Sequence, residues 1–134
     1  MKKNIFLLFG ILIILSGCTK QVVNRIPDGT YTGTFIRTSP KARYAPANVS
    51  LVISGNRYSG TSDKDNYPAI CSGSYLVQGS MLKVKNACVF TADVDRSLIF
   101  NGDFEYTFDG TKLQIVKKYS LEGKYDTYIL QKVR

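Results

Sequence analysis

Three cysteines and ten carboxylates hold most of the covalent and acid–base chemistry open to this 134-residue chain, which has no histidine. Without histidine the usual general base near neutral pH and the commonest metal ligand are both missing. A thiolate nucleophile at Cys71 or Cys88 would have no imidazole to activate it. Asp63-Lys64-Asp65-Asn66 begins like a calcium loop, but a glycine at the sixth position and an acid at the twelfth are absent. Asp103 and Glu105 are two apart and share one face of any strand. A carboxylate pair can serve glycoside hydrolysis, but the same spacing is the wet side of a strand whose other side is Phe104, Tyr106 and Phe108. The reading is a non-enzymatic protein with no catalytic residue, no metal site and no cofactor.

The third cysteine has a different setting. Lys2 and Lys3 precede an apolar run from Ile5 to Leu15, which ends in the small residues Ser16 and Gly17 before Cys18. A positive start, a short apolar stretch and small residues make a secretion signal; a membrane span needs roughly 20 apolar residues. Leu15-Ser16-Gly17-Cys18 resembles the bacterial lipoprotein lipobox. That resemblance implies that residues 1–17 are a signal peptide and that Cys18 is acylated, becomes the first mature residue and anchors the chain in membrane lipid. Thr19 stands where an inner-membrane retention aspartate would sit, so the outer membrane is expected over the inner one.

Export sets the context for the remaining cysteines. In an oxidising compartment an even pair is a disulfide candidate, so a Cys71–Cys88 bridge is expected, with two buried thiols as the alternative. The mature 117 residues suffice for one domain. Loss of Lys2 and Lys3 leaves sixteen basic against ten acidic residues, a net charge of +6. That charge favours anionic lipid or an acidic partner; nucleic acid is not expected at the envelope. The basic residues cluster weakly: Lys112, Lys117, Lys118 and Lys124 near the last hairpin, Lys132 and Arg134 at the end of the chain, and Lys41 and Arg43 in a prolyl loop; they read as a solvated face or as a docking face for anionic lipid or an acidic partner.

The positioning elements are strands. Residues 18–28 read as a lipidated tether ending in the turn signal Ile26-Pro27-Asp28-Gly29. From Gly29 apolar residues alternate at period two: Tyr31, Gly33 and Phe35 against Thr30, Thr32 and Thr34; then Val49, Leu51 and Ile53; Tyr58; Tyr75; Leu82 and Val84; Leu113 and Ile115; Tyr128 and Leu130. Ala87 to Thr91 and Leu98 to Phe100 read as further strand pieces, the latter leading into an Asn101-Gly102 hairpin. Segments 39–46, 61–69 and 119–124 read as loops. Eight or nine strands in sequential hairpins would expose two sheet edges, and closure into a barrel removes them. The expected fold is all-β: a single antiparallel meander over residues 29–134, closed into a small eight- or nine-stranded lipocalin-like barrel, with a two-sheet sandwich as the rival.

Inward aromatics of such a barrel are most simply its core. Tyr31, Tyr58, Tyr75, Phe104, Tyr106 and Tyr128 are also the candidates for lining a small apolar or sugar-like ligand, since a tyrosine hydroxyl offers a polar edge.

Two groups of envelope lipoproteins share phrases with this chain. Gly29-Thr30-Tyr31 after the tether, and Phe104-Glu105-Tyr106-Thr107-Phe108-Asp109-Gly110-Thr111-Lys112-Leu113, resemble the lipocalin-like small lipoproteins of Bacteroides-type bacteria. Val49 to Ile53, the turn Gly55 to Gly60, Gly73-Ser74-Tyr75 and Ala87-Cys88 are similar to META/HslJ-like domains. The Gly-x-Trp of lipocalins proper is absent, as the chain has no tryptophan. Neither group has one chemistry, so the resemblance implies a fold more than a function. The expected function is that of a membrane-anchored binding or interaction lipoprotein of the cell envelope. An accessory subunit of an outer-membrane protein complex and a hydrolase inhibitor are the alternatives; for a lysozyme inhibitor, a basic domain suits a basic enzyme poorly.

Overall fold

A computed structural model describes residues 25–134 of the protein. The expected signal peptide, Cys18 and most of the expected tether lie outside the described residues. Eight antiparallel strands follow one another around a closed barrel: β1 (Gly29–Thr38), β2 (Ala47–Ser54), β3 (Arg57–Ser62), β4 (Ser72–Gln78), β5 (Met81–Asn86), β6 (Gly102–Phe108), β7 (Lys112–Lys118) and β8 (Tyr125–Lys132). Pairing of β1 with β8 over Tyr31↔Lys132 to Thr38↔Tyr125 closes the ring, so the sandwich is excluded and the strands number eight.

Period-two alternation supplies the interior. Tyr31, Phe35, Val49, Leu51, Ile53, Tyr75, Val77, Leu82, Val84, Leu113, Ile115, Tyr128 and Leu130 are all buried, because successive side chains of a strand face opposite sides. Eight strands leave an interior that side chains can fill, and Phe100 completes the filling from outside the strands. Its ring lies 5.0 Å from Phe104, 5.1 Å from Tyr58 and 5.2 Å from Tyr128.

Two expected strand pieces are not strands. Ala87 to Thr91 leaves the ladder because the Asn86 side chain bonds forward: its Oδ1 accepts from the Cys88 amide at 3.2 Å, and its Nδ2 donates to the Cys88 carbonyl at 2.7 Å. Such local side-chain bonds compete with ladder pairing. Leu98 to Phe100 is likewise not a strand. A single 3-10 turn, Arg96–Leu98, is capped by Asp95, which accepts from the Ser97 amide. Ile99 then forms one parallel bridge with Ala69. Asn101-Gly102 is therefore not a hairpin turn; Asn101 Oδ1 accepts from the Asn86 amide at 2.9 Å, and Gly102 opens β6.

The two ends of the barrel differ. At the base the connections are the tight turns 55–56, 79–80 and 109–111, and residues 26–28 seal it. Ile26 is only 2% exposed. Its carbonyl accepts from the Tyr75 hydroxyl, the Pro27 carbonyl accepts from the Tyr31 hydroxyl at 2.6 Å, and Asp28 accepts from the Gly55 amide. The folded body thus begins inside the stretch expected to be tether. At the opposite end lie the long connections 39–46, 63–71, 87–101 and 119–124.

Gly33 marks a close strand approach, as Gly73 does against Lys85 on β5. A Cβ built at Gly33 would collide with the backbone carbonyl of Ile129 on β8, and a backbone cannot step aside as a side-chain tip can. Gly33→Ala is expected to lower stability by about 3 kcal/mol, while Thr32→Ala on the outer face stays within about 0.5 kcal/mol; urea denaturation of both variants checks the contrast.

Candidate functional site

The six aromatic candidates fall largely within the core. Tyr31, Tyr58, Tyr75, Phe104 and Tyr128 are each no more than 6% exposed, and Tyr106 is partly buried. Tyr58 donates to the Phe100 carbonyl at 3.1 Å and Tyr75 to the Gly55 carbonyl at 2.7 Å. Ring faces are spent on other rings: Tyr128 packs 4.9 Å from Phe35 and 6.3 Å from Phe104. These residues act together as a packed core whose hydroxyls fasten loops and the N-terminal plug. Hollows lie instead on the outer wall: one of about 310 Å³ beside Glu105, Gln114 and Val116, another of about 550 Å³ over Thr32, Asn48, Ser50 and Thr61.

The polar constellation that matters sits at the loop end, on residues the sequence had not singled out as a site. Arg37 closes the inward row of β1, and Asp126 opens the inward row of β8. They are 4% and 3% exposed. Arg37 Nε donates to Asp126 Oδ1 at 2.7 Å and Nη2 to Oδ2 at 2.7 Å, a bidentate pair. The rest of the guanidinium is also satisfied. Nη1 reaches Ser97 Oγ at 3.2 Å and lies 3.6 Å from Asp95, while Nη2 reaches the Ser97 carbonyl and the Tyr119 hydroxyl. Tyr119 donates to Asp126 Oδ2 at 2.6 Å. Tyr44 and Tyr119 place their rings near the Arg37 guanidinium, at 6.0 and 5.5 Å. The hydrogen bonds to Asp126 hold Arg37 firmly protonated, and burial pushes the Tyr119 phenol up, reinforced by its bond to Asp126.

The ionisable groups Arg37, Asp126 and Tyr119 of this cluster are hydrogen-bonded to one another. The cluster's role is to gather loops: β1 and β8 give the ion pair, 87–101 gives Asp95 and Ser97, 119–124 gives Tyr119, and 39–46 gives Tyr44. From 63–71, Tyr67 stacks on Tyr44 at 6.3 Å and edges onto Phe35 at 5.3 Å. Among the described residues the Tyr67 hydroxyl is a buried side-chain atom without a hydrogen-bond partner. Lys117 also points inward here. Its Nζ donates to the Asn101 carbonyl at 3.0 Å, and burial lowers its pKa.

The acidic candidates are accounted for locally. Asp63 accepts from the Asn48 amide and side chain, both at 2.8 Å. Glu105 pairs with Lys118 at 3.1 Å on the exposed wall, and Asp103 is exposed beside it.

The Cys71–Cys88 disulfide is present, with Cα atoms 6.2 Å apart. It ties the 87–101 loop to the segment before β4. Next to it Val89 is 99% exposed. The following residue, Phe90, turns back to pack on a small cluster of Ala69, Val94 and Ile99. Val89 thus projects from a loop held on both sides. Tyr44 and Leu121, from neighbouring loops, are 43% and 40% exposed. Comparison with protein-family models, with curated proteins and with solved structures finds no match.

Two outcomes follow from the buried groups. Asp126→Asn leaves the Arg37 charge buried without its partner and is expected to cost about 3–5 kcal/mol, whereas Arg37→Met combined with Asp126→Leu recovers most of that loss; chemical denaturation of the single and double variants checks both. Burial also raises the phenols of Tyr31, Tyr67 and Tyr75, and pushes Tyr58 up to about 12. The folded state favours the protonated phenols, and the unfolded chain gives up those protons near pH 10. Their contribution to stability is then complete below pH 10 and declines as pH rises from 10 through about 12, which urea midpoints across that range will show.

Proposed function

We propose that the protein is a membrane-anchored binding lipoprotein of the cell envelope, held in lipid by acylated Cys18, which recognises a protein partner through its loop end. The observation that carries the reading is polarity of the fold. The described chain enters through residues 25–28 at the sealed base, while every long loop gathers at the far end around Arg37 and Asp126. A filled barrel makes a stiff pedestal, and function on such scaffolds sits in loops held by a rigid body. Val89 supplies the anchor side chain, because interface energy concentrates in a few residues that enter a partner's pocket. The disulfide and Phe90 hold it in place beforehand, so little ordering entropy is lost on binding.

The setting of Val89 also favours a second reading as a hydrolase inhibitor. One exposed aliphatic side chain between restrained neighbours can occupy a peptidase pocket for small apolar residues. In that case the partner is a peptidase, and Val89→Asp relieves its inhibition.

The anchor and the loop face are tested separately. Mass spectrometry of protein extracted from membranes is expected to find acyl chains on Cys18, and Cys18→Ala is expected to shift the protein to the soluble fraction. A photo-crosslinking side chain at Val89 is expected to capture a discrete partner in cells, in an adduct competed away by the unlabelled wild-type domain but not by Val89→Asp. The same probe at Leu76, exposed on the outer wall, is expected to capture none. Adducts at Leu76 with none at Val89 would overturn the loop-face reading.

A further inference from the structure

Charge is not shared evenly between the two ends. The four long loops carry five basic and five acidic side chains and cancel; the strand ends beneath them add Arg37, Lys117 and Lys118 against Asp126, but Arg37 pairs with Asp126, Lys118 with Glu105, and Lys117 turns to the Asn101 carbonyl. The base carries Arg25, Arg57, Lys112, Lys132 and Arg134 against Asp28 and Asp109 alone, a side-chain excess of +3. The fold creates this segregation. Lys132 lies at the end of β8 with its chain across Gly29 at the start of β1. Arg57 leaves the 55–56 turn on the outer face, Lys112 leaves the 109–111 turn, and Arg25 precedes the plug residue Ile26. The basic residues near the last hairpin divide between the two ends, Lys112 at the base and Lys117, Lys118 and Lys124 at the other. Both acids at the base accept from backbone amides of turns: Asp28 from Gly55, and Asp109 from Thr111 and Lys112. Arg25, Arg57 and Arg134 are exposed, and Lys112 and Lys132 are partly exposed.

We infer that the base of the barrel docks on the anionic phospholipid headgroups of the membrane, standing the loop end away from the surface. The inference rests on the anchoring role of Cys18, and covalent geometry makes the two compatible. Arg25 follows Cys18 by seven positions, a reach of at most about 25 Å, so the base is the part of the domain that the anchor confines near the bilayer. Basic side chains within a Debye length of an anionic surface are attracted to it, and a lipid chain combined with a basic patch is a two-signal membrane attachment. At the loop end the excess cations are paired or turned inward, so that end gains less from the same surface. The contact fixes orientation, which a flexible tether alone would leave free.

Acylated protein purified from membranes and reconstituted on vesicles tests the inference by lysine footprinting. On vesicles containing phosphatidylglycerol, Lys112 and Lys132 are expected to lose amine reactivity several-fold relative to Lys41 and Lys124. On pure phosphatidylcholine, or at high salt, that protection is expected to vanish, as it should for the exposed-site variant Arg57→Glu combined with Arg134→Glu. Equal reactivity of the base and loop lysines on anionic vesicles, or protection of Lys41 and Lys124 instead, would overturn the docking. The intact mass reports the anchor independently. If Cys18 carries no acyl chain the anchoring reading fails by itself; co-sedimentation of the unmodified chain with phosphatidylglycerol vesicles alone would then uphold the basic docking face, and its absence would overturn it.

Discussion

The loop end of this barrel is organised by one buried ion pair. Arg37 and Asp126 face each other across the β1–β8 seam, where the two ends of the meander meet, in register as Arg37↔Asp126. Taking both charges out of water is costly, and their attraction offsets that cost only with good geometry and every remaining lone pair and proton used. The protein meets the condition by recruiting Ser97, Asp95 and Tyr119 from two loops and by setting Tyr44 near the guanidinium. The requirement that the charges be satisfied is thus also what folds the loops inward. An apolar pair at the same positions would close the seam as well, but would give the loops nothing directional to bond to.

The opposite end is sealed by different chemistry. There the interior tyrosines reach down with their hydroxyls to the backbone of residues 26 and 27, while Ile26 fills the opening. Tyrosine is suited to this position because its ring contributes to the core and its hydroxyl finds a carbonyl at the rim. The abundance of tyrosine, which invites a reading as a ligand-lined cavity, has a structural account at Tyr31, Tyr58 and Tyr75 in the need to tie peripheral backbone to a filled barrel.

Much of the architecture was legible from alternation alone, since a one-residue slip would turn every apolar side chain to solvent. The same alternation also contained the ion pair. Arg37 follows Tyr31, Gly33 and Phe35 in phase, and Asp126 precedes Tyr128 and Leu130. A charge in phase with a core row is a signal, and continuing each row to its end would have found both. The 87–101 segment was not legible in that way. Its β-prone residues read as strand, but the Asn86 side chain, the Asp95 cap and the disulfide decide its path, and those interactions depend on tertiary neighbours. Ile26 was hidden for a similar reason: one apolar residue beside a proline has no period, and only the open mouth of a barrel gives it somewhere to go. Val89 is the converse case, an apolar residue whose exposure follows from the restraints on Cys88 and Phe90.

A closed barrel has no free sheet edge, and this one has an interior occupied by its own rings, so the walls and ends are the surfaces it presents. The walls are regular, with paired charges such as Lys118 and Glu105 and scattered hydroxyls that water serves well. The ends are where the chain departs from regularity, and they depart in opposite directions: compact turns under an excess of positive charge at the base, long, charge-balanced loops with an exposed valine at the top. Such polarity follows from the even number of strands, which returns both termini to one end and leaves the other free to vary. The proposed anchor at Cys18 would hold the base near the lipid, so the long loops would be the part of the domain left for a protein partner, and the positively charged base would add the orientation that a tether leaves free.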